Sequence, residues 1–203
     1  MKILNLLSLI LFLIFIISYS LKLIILYKRN NLRANTLGKG VKDRNIKLTE
    51  ITVKTTTFIW GLTWIAEIFF NNIISQKLSF LFKNKVLSYI GLLTITIGVL
   101  IFIIAMINMK SSWRVGIDKI NKSELITNGI YKYSRNPAFV GFYLMFLGLF
   151  FIYQDYLTLI VLILNIISIH KLILQEEKHL EKMFHKEYLD YKKRTPRYIG
   201  MKK

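Results

Sequence analysis

Two polar segments near the C-terminal end of this 203-residue chain hold residue types that bind charged ligands. The first, GIYKYSRNPAFVGF (129–142), places Tyr131, Tyr133, Arg135 and an Asn136–Pro137 step before an apolar run. An Asn-Pro step is typical of a helix start, with Asn at the N-cap and Pro at the first helical position. The N–H groups of such a start attract a carboxylate or phosphate, tyrosines can stack on a ligand, and arginine can pair with an anion. We therefore predict a helix that begins at Pro137 and whose start is part of a ligand site. An aromatic belt with a snorkelling arginine would explain the tyrosines and the arginine, but it would not explain why Gly, Asn and Pro occur in this segment.

The second segment is LQEEKHLEKMFHKEYLDYKKRTPRYI (174–199). Neither Gly nor Pro occurs from 149 to 195, so we expect the last apolar helix to continue into it. Adjacent residues on a helix point about 100° apart, so of Glu176 and Glu177 one can face inward while the other faces water. An apolar stripe at helical spacing predicts an amphipathic helix that packs on the protein or lies on the bilayer: Leu180, Phe184, Tyr188 and Tyr191.

The elements that position these segments are apolar blocks in a chain that is 54% hydrophobic. Residues 3–27, 55–75 and 86–109 carry at most one charge each, and a bilayer core needs about 20 helical residues to cross it. Residues 138–170 are long enough for a hairpin, divided at Gln154 and Asp155, which are costly in hydrocarbon and whose flanking tyrosines suit the headgroup layer. The prediction is an all-α integral membrane protein with about five transmembrane helices, the last two a hairpin, and a C-terminal cytosolic amphipathic helix.

Lysine and arginine placement predicts the orientation. Eight basic residues lie in 28–54, six in 110–135 and ten from 171 onward, against three in 76–85 and one at the extreme N-terminus. Basic loops stay in the cytoplasm, which puts the N-terminus outside and the C-terminus inside. We expect residues 1–20 to be a retained anchor, because their apolar run is longer than the core of a cleaved signal peptide.

Several function classes are disfavoured. The net charge of +18 is explained by cytoplasmic loops beside anionic lipid, so we predict no nucleic-acid partner. Thiolate chemistry and disulfides are excluded because there is no cysteine. His179 and His185 are six residues apart, on different faces of a helix, so we predict no metal site. Gly-rich dinucleotide and nucleophile-elbow motifs are absent.

Glu67 is interpreted as a residue near a span end, with a functional intramembrane carboxylate as the alternative.

Together the two segments resemble the isoprenylcysteine carboxyl methyltransferase family, within the wider group that includes membrane phospholipid methyltransferases. The matching positions of its signature are Gly129, Tyr131, Arg135, Pro137 and Gly141, then Glu176, Glu177 and Leu180, then Phe184, Glu187, Tyr188, Tyr191, Arg194 and Pro196. The resemblance covers about the last 90 residues. It implies a region 111–203 that carries the methyltransferase chemistry, after an N-terminal three-span region 1–110 with a basic cytosolic loop 28–54.

The resemblance also implies methyl transfer from S-adenosylmethionine to a lipidic or isoprenylcysteine-like acceptor at the cytosolic membrane face. The cofactor-binding residues it implies are Ser123, Glu124, Leu125, Ile126, Tyr131, Asn136, Pro137, Ala138, Phe139 and Glu176. The catalytic residues are Arg135, Glu177 and Arg194, and the substrate-binding residues are Lys171, Leu172, Tyr188 and Tyr191. A phospholipid N-methyltransferase, an NADPH-dependent membrane reductase of the sterol-reductase type and a non-catalytic membrane scaffold are the alternatives.

Four positions depart from the family pattern. Asn136 replaces a histidine, Phe139 a tyrosine, His185 a glycine, and Leu172 an arginine implicated in substrate contact. The resemblance therefore supports the predicted cofactor site more strongly than the predicted acceptor site.

Overall fold

The computed structural model describes residues 3–40, 42–77, 80–117 and 124–200. Within these ranges the chain forms five α-helices joined by loops and two 3₁₀ turns. The helices are α1 (Ile3–Asn30), α2 (Arg44–Lys77), α3 (Lys85–Asn108), α4 (Pro137–Tyr153) and α5 (Tyr156–Arg194), and the turns are Lys110–Ser112 and Gly129–Lys132.

The helices confirm an all-α, multi-pass membrane protein. Helices α1, α2, α3 and α5 are long and apolar enough to cross a bilayer. Helix α4 is apolar but has 17 residues, about 25 Å at the α-helical rise, so it is the shortest of the five. That α5 also forms a cytosolic amphipathic helix stays a prediction. Its Tyr188 and Tyr191 are buried, which favours packing on the protein over contact with the bilayer surface.

The two predicted helix boundaries are confirmed. Helix α4 begins at Pro137, although the side chain of Asn136 does not cap it. Gln154, with a left-handed φ of 57°, ends α4, and Asp155 caps α5 by accepting a hydrogen bond from the Thr158 amide at 2.8 Å. That the flanking tyrosines lie at the headgroup layer stays a prediction, and Gln154 itself is enclosed by the protein. Its carboxamide is buried and exchanges two hydrogen bonds with the backbone of Asn84, of 2.7 and 2.8 Å, which satisfies it inside the protein.

Glycines bring α3 and α4 into close contact. A Cβ atom at Gly98 would lie 2.7 Å from the carbonyl oxygen of Gly141, and one at Gly141 would lie 2.7 Å from that of Gly98. Gly91 and Gly148, one heptad along each helix, meet in the same reciprocal way. Small residues are what allow helices in lipid to gain van der Waals contact, so this seam fixes α4 against α3.

Helix α5 breaks once, at His185, whose φ of 44° and ψ of −118° are not helical. Positive φ favours glycine, and glycine is the residue that the family pattern has at this position. The break separates the long apolar part of α5 from its last turns, which carry Tyr188 and Tyr191 back toward α4.

Glu67 is fully buried on α2, and Asn71 donates a hydrogen bond to its Oε2 at 2.9 Å. The interpretation that it reaches the membrane interface is therefore wrong, because the side chain is enclosed by the protein.

Candidate functional site

A cavity of about 560 Å³ lies where the loops meet the helices. Its wall contains residues from all five helices, from the loop after α1 and from the segment between α3 and α4. The part of α2 that lines it runs from Val53 to Ile65, twelve residue steps or about 18 Å along the helix axis. The cavity therefore extends from the loop side well into the helical bundle.

The loop end of the cavity is polar. Glu124, Tyr131, Arg135, Asn136 and Glu176 line it. Burial, reinforced by the nearby Tyr191 and Glu176, raises the pKa of the Tyr131 phenol far above its usual value, so the phenol is a neutral hydrogen-bonding group. The start of α4 faces the same space, since Ala138 and Phe139 line the cavity. Because the Asn136 side chain does not cap the helix, the first-turn N–H groups stay available to a ligand.

The other end of the cavity is apolar and reaches the outer surface of the bundle. Phe12 and Phe15 of α1, with Trp60 of α2, form its inner wall. Its outer wall contains side chains that also face the surroundings of the protein: Ile16 is 38% exposed, Phe58 65%, Leu62 52% and Ile65 37%. In a membrane these faces meet lipid, so the apolar end of the cavity lies next to the lipid-facing side of α1 and α2.

A buried ion-pair cluster supports the polar end from behind. Glu177 Oε1 accepts hydrogen bonds from Arg135 Nη2 at 2.9 Å and Arg135 Nε at 3.2 Å, and from Asn136 Nδ2 at 3.0 Å. Its Oε2 accepts from Arg197 Nη2 at 2.9 Å and Nε at 3.1 Å. The hydrogen bond with Glu177 raises the pKa of the Arg197 guanidinium. Both carboxylate oxygens are therefore used, and Glu177 fixes two side chains that do line the cavity.

The C-terminal tail after α5 ties this cluster together. The Arg135 amide donates to Pro196 O at 2.9 Å, and Arg135 Nη1 donates to Thr195 O at 2.6 Å. On α5, the Tyr191 hydroxyl donates to Tyr131 O at 2.7 Å. The tail and the last turns of α5 thus hold the loop before α4 in place.

Most of the predicted site residues come together at this cavity. Those that line it are Glu124, Leu125, Ile126, Tyr131, Arg135, Asn136, Ala138, Phe139, Leu172, Glu176, Tyr188 and Tyr191. Pro137 is buried next to them, and Glu177 lies in the supporting cluster. Lys171, Arg194 and the exposed Tyr133 do not line the cavity. Ser123 lies outside the described residues.

The prediction that one of the two adjacent glutamates faces inward while the other faces water is partly wrong. Glu176 lines the cavity, but Glu177 faces the two arginines rather than water, with only 4% of its surface exposed. The 100° separation on the helix is as expected. The tail fills the space on the Glu177 side, and a helical pattern cannot predict that contact.

Sequence reasoning missed several residues of the site. Arg197 was not considered, although an arginine one residue after Pro196 was a signal for a second partner of the glutamate pair. Asn35, Lys54 and Arg114 also line the cavity, and they come from loops and helices whose side chains have no motif. Among the described residues, no three His, Cys, Asp or Glu side chains cluster as a metal site.

The fold and the cavity define a class: a polytopic membrane protein with a cavity that is polar where it meets the loops and apolar next to the lipid. A sequence model of the phospholipid methyltransferase family matches residues 86–187, half of the chain. The chain therefore belongs to the phospholipid methyltransferase family.

The chain is also similar to the protein-S-isoprenylcysteine O-methyltransferases of Rattus norvegicus and Mus musculus. Each is 31% identical over 113 residues, which are 54% of this chain and 40% of the relative. The chain thus matches less than half the length of these curated relatives. The resemblance predicted from the two C-terminal segments is confirmed.

Proposed function

We propose that the protein is an integral-membrane methyltransferase that uses S-adenosylmethionine and acts on a lipidic acceptor. The observation that carries this proposal is a cavity that is polar at its loop end and is lined at its apolar end by side chains of α1 and α2 that also face the surroundings of the protein. A water-soluble methyl donor and an acceptor dissolved in the bilayer need a space that each can reach from its own phase.

The residues at the polar end fit such a donor. A volume of about 560 Å³ is within the range of small-molecule sites, roughly 300–1,000 Å³. The Glu176 carboxylate can accept hydrogen bonds from an ammonium group or ribose hydroxyls, and the open start of α4 at Ala138 and Phe139 can receive a carboxylate. Tyr131 offers a neutral hydroxyl and a ring face. When bound, S-adenosylmethionine supplies a methyl group already activated by its sulfonium.

The remaining task of the protein is alignment and exclusion of water. Arg135 is the cationic group of the buried cluster that reaches the cavity wall, so it is suited to an anionic part of the acceptor or of the donor. Glu177 acts through Arg135 and Asn136, whose side chains it holds. The catalytic role of Arg194 and the substrate role of Lys171 stay predictions that need a movement of exposed side chains.

The acceptor has two candidate chemistries. The relatives' name, protein-S-isoprenylcysteine O-methyltransferase, supports methylation of a carboxylate on a prenylated cysteine, and Leu172, Tyr188 and Tyr191 would contact it. The family match supports methylation of a phospholipid amine. Labelled methyl transferred to total membrane lipid and to a farnesylcysteine distinguishes them, because a methyl ester is released by base and an N-methyl group is not.

The proposed arrangement in the membrane has the N-terminus outside and the C-terminus in the cytoplasm. Lys28 and Arg29 end α1 on the side that also holds the loop 31–43 and the polar end of the cavity. A cytoplasmic methyl donor then reaches the polar end directly. Region 1–110 would supply apolar wall for the hydrocarbon part of the acceptor, and region 111–203 would bind the donor and the polar part of the acceptor.

The first test is calorimetric titration of detergent-purified protein with S-adenosylmethionine and S-adenosylhomocysteine. We expect saturable binding by the wild type, at least tenfold weaker binding by Glu176→Ala, and wild-type binding by Glu181→Ala. Glu181 is the matched control because it lies five residues along α5, is partly exposed and pairs with Lys192 away from this cavity. Absence of binding by folded wild-type protein would refute the proposal, and saturation by NADPH instead would favour the reductase alternative.

A further inference from the structure

Another buried carboxylate besides Glu67 lies outside the segment that the family model matches. Glu50, near the start of α2, has no exposed surface. Its Oε2 accepts hydrogen bonds from the Gly38 amide at 2.8 Å and from Lys42 Nζ at 2.7 Å. Its Oε1 accepts from the Ile117 amide at 2.8 Å and from Lys42 Nζ at 2.9 Å. One side chain thus binds two loops that are far apart in sequence.

The two loops also bind each other directly. The Thr36 amide donates to Val115 O at 2.9 Å, and the Val115 amide donates to Ala34 O at 2.9 Å. Lys42 Nζ donates to Thr36 O at 2.8 Å, which ties the ion pair into the same contact. We call residues 34–38 and 113–117 together the cover, because five of them line the cavity at its loop end: Asn35, Leu37, Trp113, Val115 and Gly116.

The backbone of the cover is shaped to approach Glu50. Gly38 has a φ of +69° and Gly116 a φ of +89°, conformations that side chains disfavour. A Cβ atom at Gly116 would lie 2.9 Å from Glu50 Oε1. Each of the two segments of the cover therefore approaches the Glu50 carboxylate at a glycine, Gly38 in one segment and Gly116 in the other.

A buried ion pair is a costly way to gain stability, since apolar residues of the same volume often stabilise as well or better. The Lys42 side chain is 4% exposed and that of Glu50 is fully buried. What the pair provides is a defined position for two backbone amides, which apolar side chains cannot bind. The pair also lies within electrostatic range of Glu176, the carboxylate at the polar end of the cavity.

We propose that Glu50 and Lys42 are positioning residues that hold the cover over the polar end of the cavity and thereby set the affinity for the methyl donor. This inference rests on the proposed function. The cover presents Asn35 to the ligand in a fixed orientation, since Asn35 Nδ2 donates to the Tyr19 hydroxyl at 3.2 Å and Asn35 Oδ1 accepts from the Leu37 amide at 3.4 Å. Without the carboxylate, neither loop has a charged acceptor for its amide, and ligand binding must then fix the cover as well.

The test compares wild type, Glu50→Gln, Lys42→Met and the control Lys47→Met by titration with S-adenosylhomocysteine. Lys47 is an exposed lysine of α2 without a contact to Glu50. Loss of a charge-assisted hydrogen bond predicts a dissociation constant about tenfold higher for Glu50→Gln and Lys42→Met, and unchanged for Lys47→Met. Hydrogen exchange at the Gly38 and Ile117 amides is expected to speed up in both variants, and to slow down in the wild type when the ligand binds.

Each outcome bears on a different claim. If wild type binds and folded Glu50→Gln binds within twofold of it, the positioning role is wrong while the proposed function stands. If Glu50→Gln does not fold, the same criterion applies to Lys42→Met. If ligand binding to the wild type leaves the two amides unprotected, the cover does not close on the ligand and the inference is overturned. Failure of the wild type to bind at all is failure of the proposed function.

Discussion

Glu177→Ala is predicted to destabilise the protein far more than Arg197→Ala, although the two residues form one ion pair. Glu177 is the shared acceptor of two arginines, and its removal leaves Arg135 without a carboxylate. The Arg135 side chain is 4% exposed, so its charge would be buried and unpaired. The Arg197 side chain is 34% exposed, so its removal leaves Glu177 paired with Arg135 and Asn136.

The magnitudes follow from these environments. Removing one partner of a buried ion pair costs about 3–5 kcal/mol, whereas a partly exposed pair contributes about 1 kcal/mol or less. For a chain of this size, 1 kcal/mol moves the unfolding midpoint by about 2–4 °C. Glu177→Ala should therefore lower the midpoint by roughly 6–20 °C, and Arg197→Ala by no more than about 4 °C.

The assay is thermal unfolding in detergent, followed by circular dichroism. The matched control is the double variant Arg135→Met with Glu177→Leu, in which both charges are removed together. Because an apolar pair carries no desolvation cost, its midpoint should lie above that of Glu177→Ala. Equal shifts for Glu177→Ala and Arg197→Ala, or a double variant less stable than the single one, would refute the reasoning.

Three further predictions concern the backbone, the helix seam and the orientation. His185→Gly should stabilise the folded protein by about 1 kcal/mol, because glycine relieves the strain of the positive φ at the α5 break. His179→Gly in the same helix should destabilise it by about 1 kcal/mol. If the thermal unfolding midpoint falls in both variants, His185 is not strained. Gly98→Leu should prevent α3 and α4 from packing, because even a Cβ atom there would lie 2.7 Å from a carbonyl oxygen of α4; wild-type yield and a monodisperse elution profile would contradict this. Since the chain has no cysteine, Lys39→Cys and Lys83→Cys give one thiol each, and a membrane-impermeant maleimide should label only Lys83→Cys in intact cells; the opposite pattern would invert the topology.

Features set by local chemistry could be predicted from the sequence. The start of α4 at Pro137 and the division at Gln154 and Asp155 follow from residues whose backbone preference or burial cost acts over a few positions. The continuation of α5 followed from the lack of Gly and Pro. The predicted residues from 124 to 139 that line the cavity could be named together because they lie within one loop and one helix start.

Features set by distant contacts could not be predicted in this way. One partner of Glu177 is Arg197, and this contact depends on the tail folding back over α5. Glu50 pairs with Lys42, but it also binds the amides of Gly38 and of Ile117, which is 67 positions away. The cost of Gln154 in hydrocarbon is visible in the sequence, but its partners, the backbone groups of Asn84, are not. Glu50 and Gln154 are satisfied by backbone groups of distant segments, and Glu177 is satisfied by side chains of a distant loop and tail. Neither kind of contact leaves a pattern in the sequence.

The way the cavity is divided along the chain bears on how such proteins diversify. Its polar wall comes mainly from residues 124–191, while α1 and α2, which precede the matched family segment, contribute part of its apolar wall, including Phe12, Phe15 and Trp60. Changes in α1 and α2 can alter the length or width of the hydrophobic chain that fits, without touching the groups at the polar end. Under the proposed function, a lineage can exchange one lipid acceptor for another while its methyl donor stays the same. Chimaeras joined before α3 should then transfer acceptor preference between relatives.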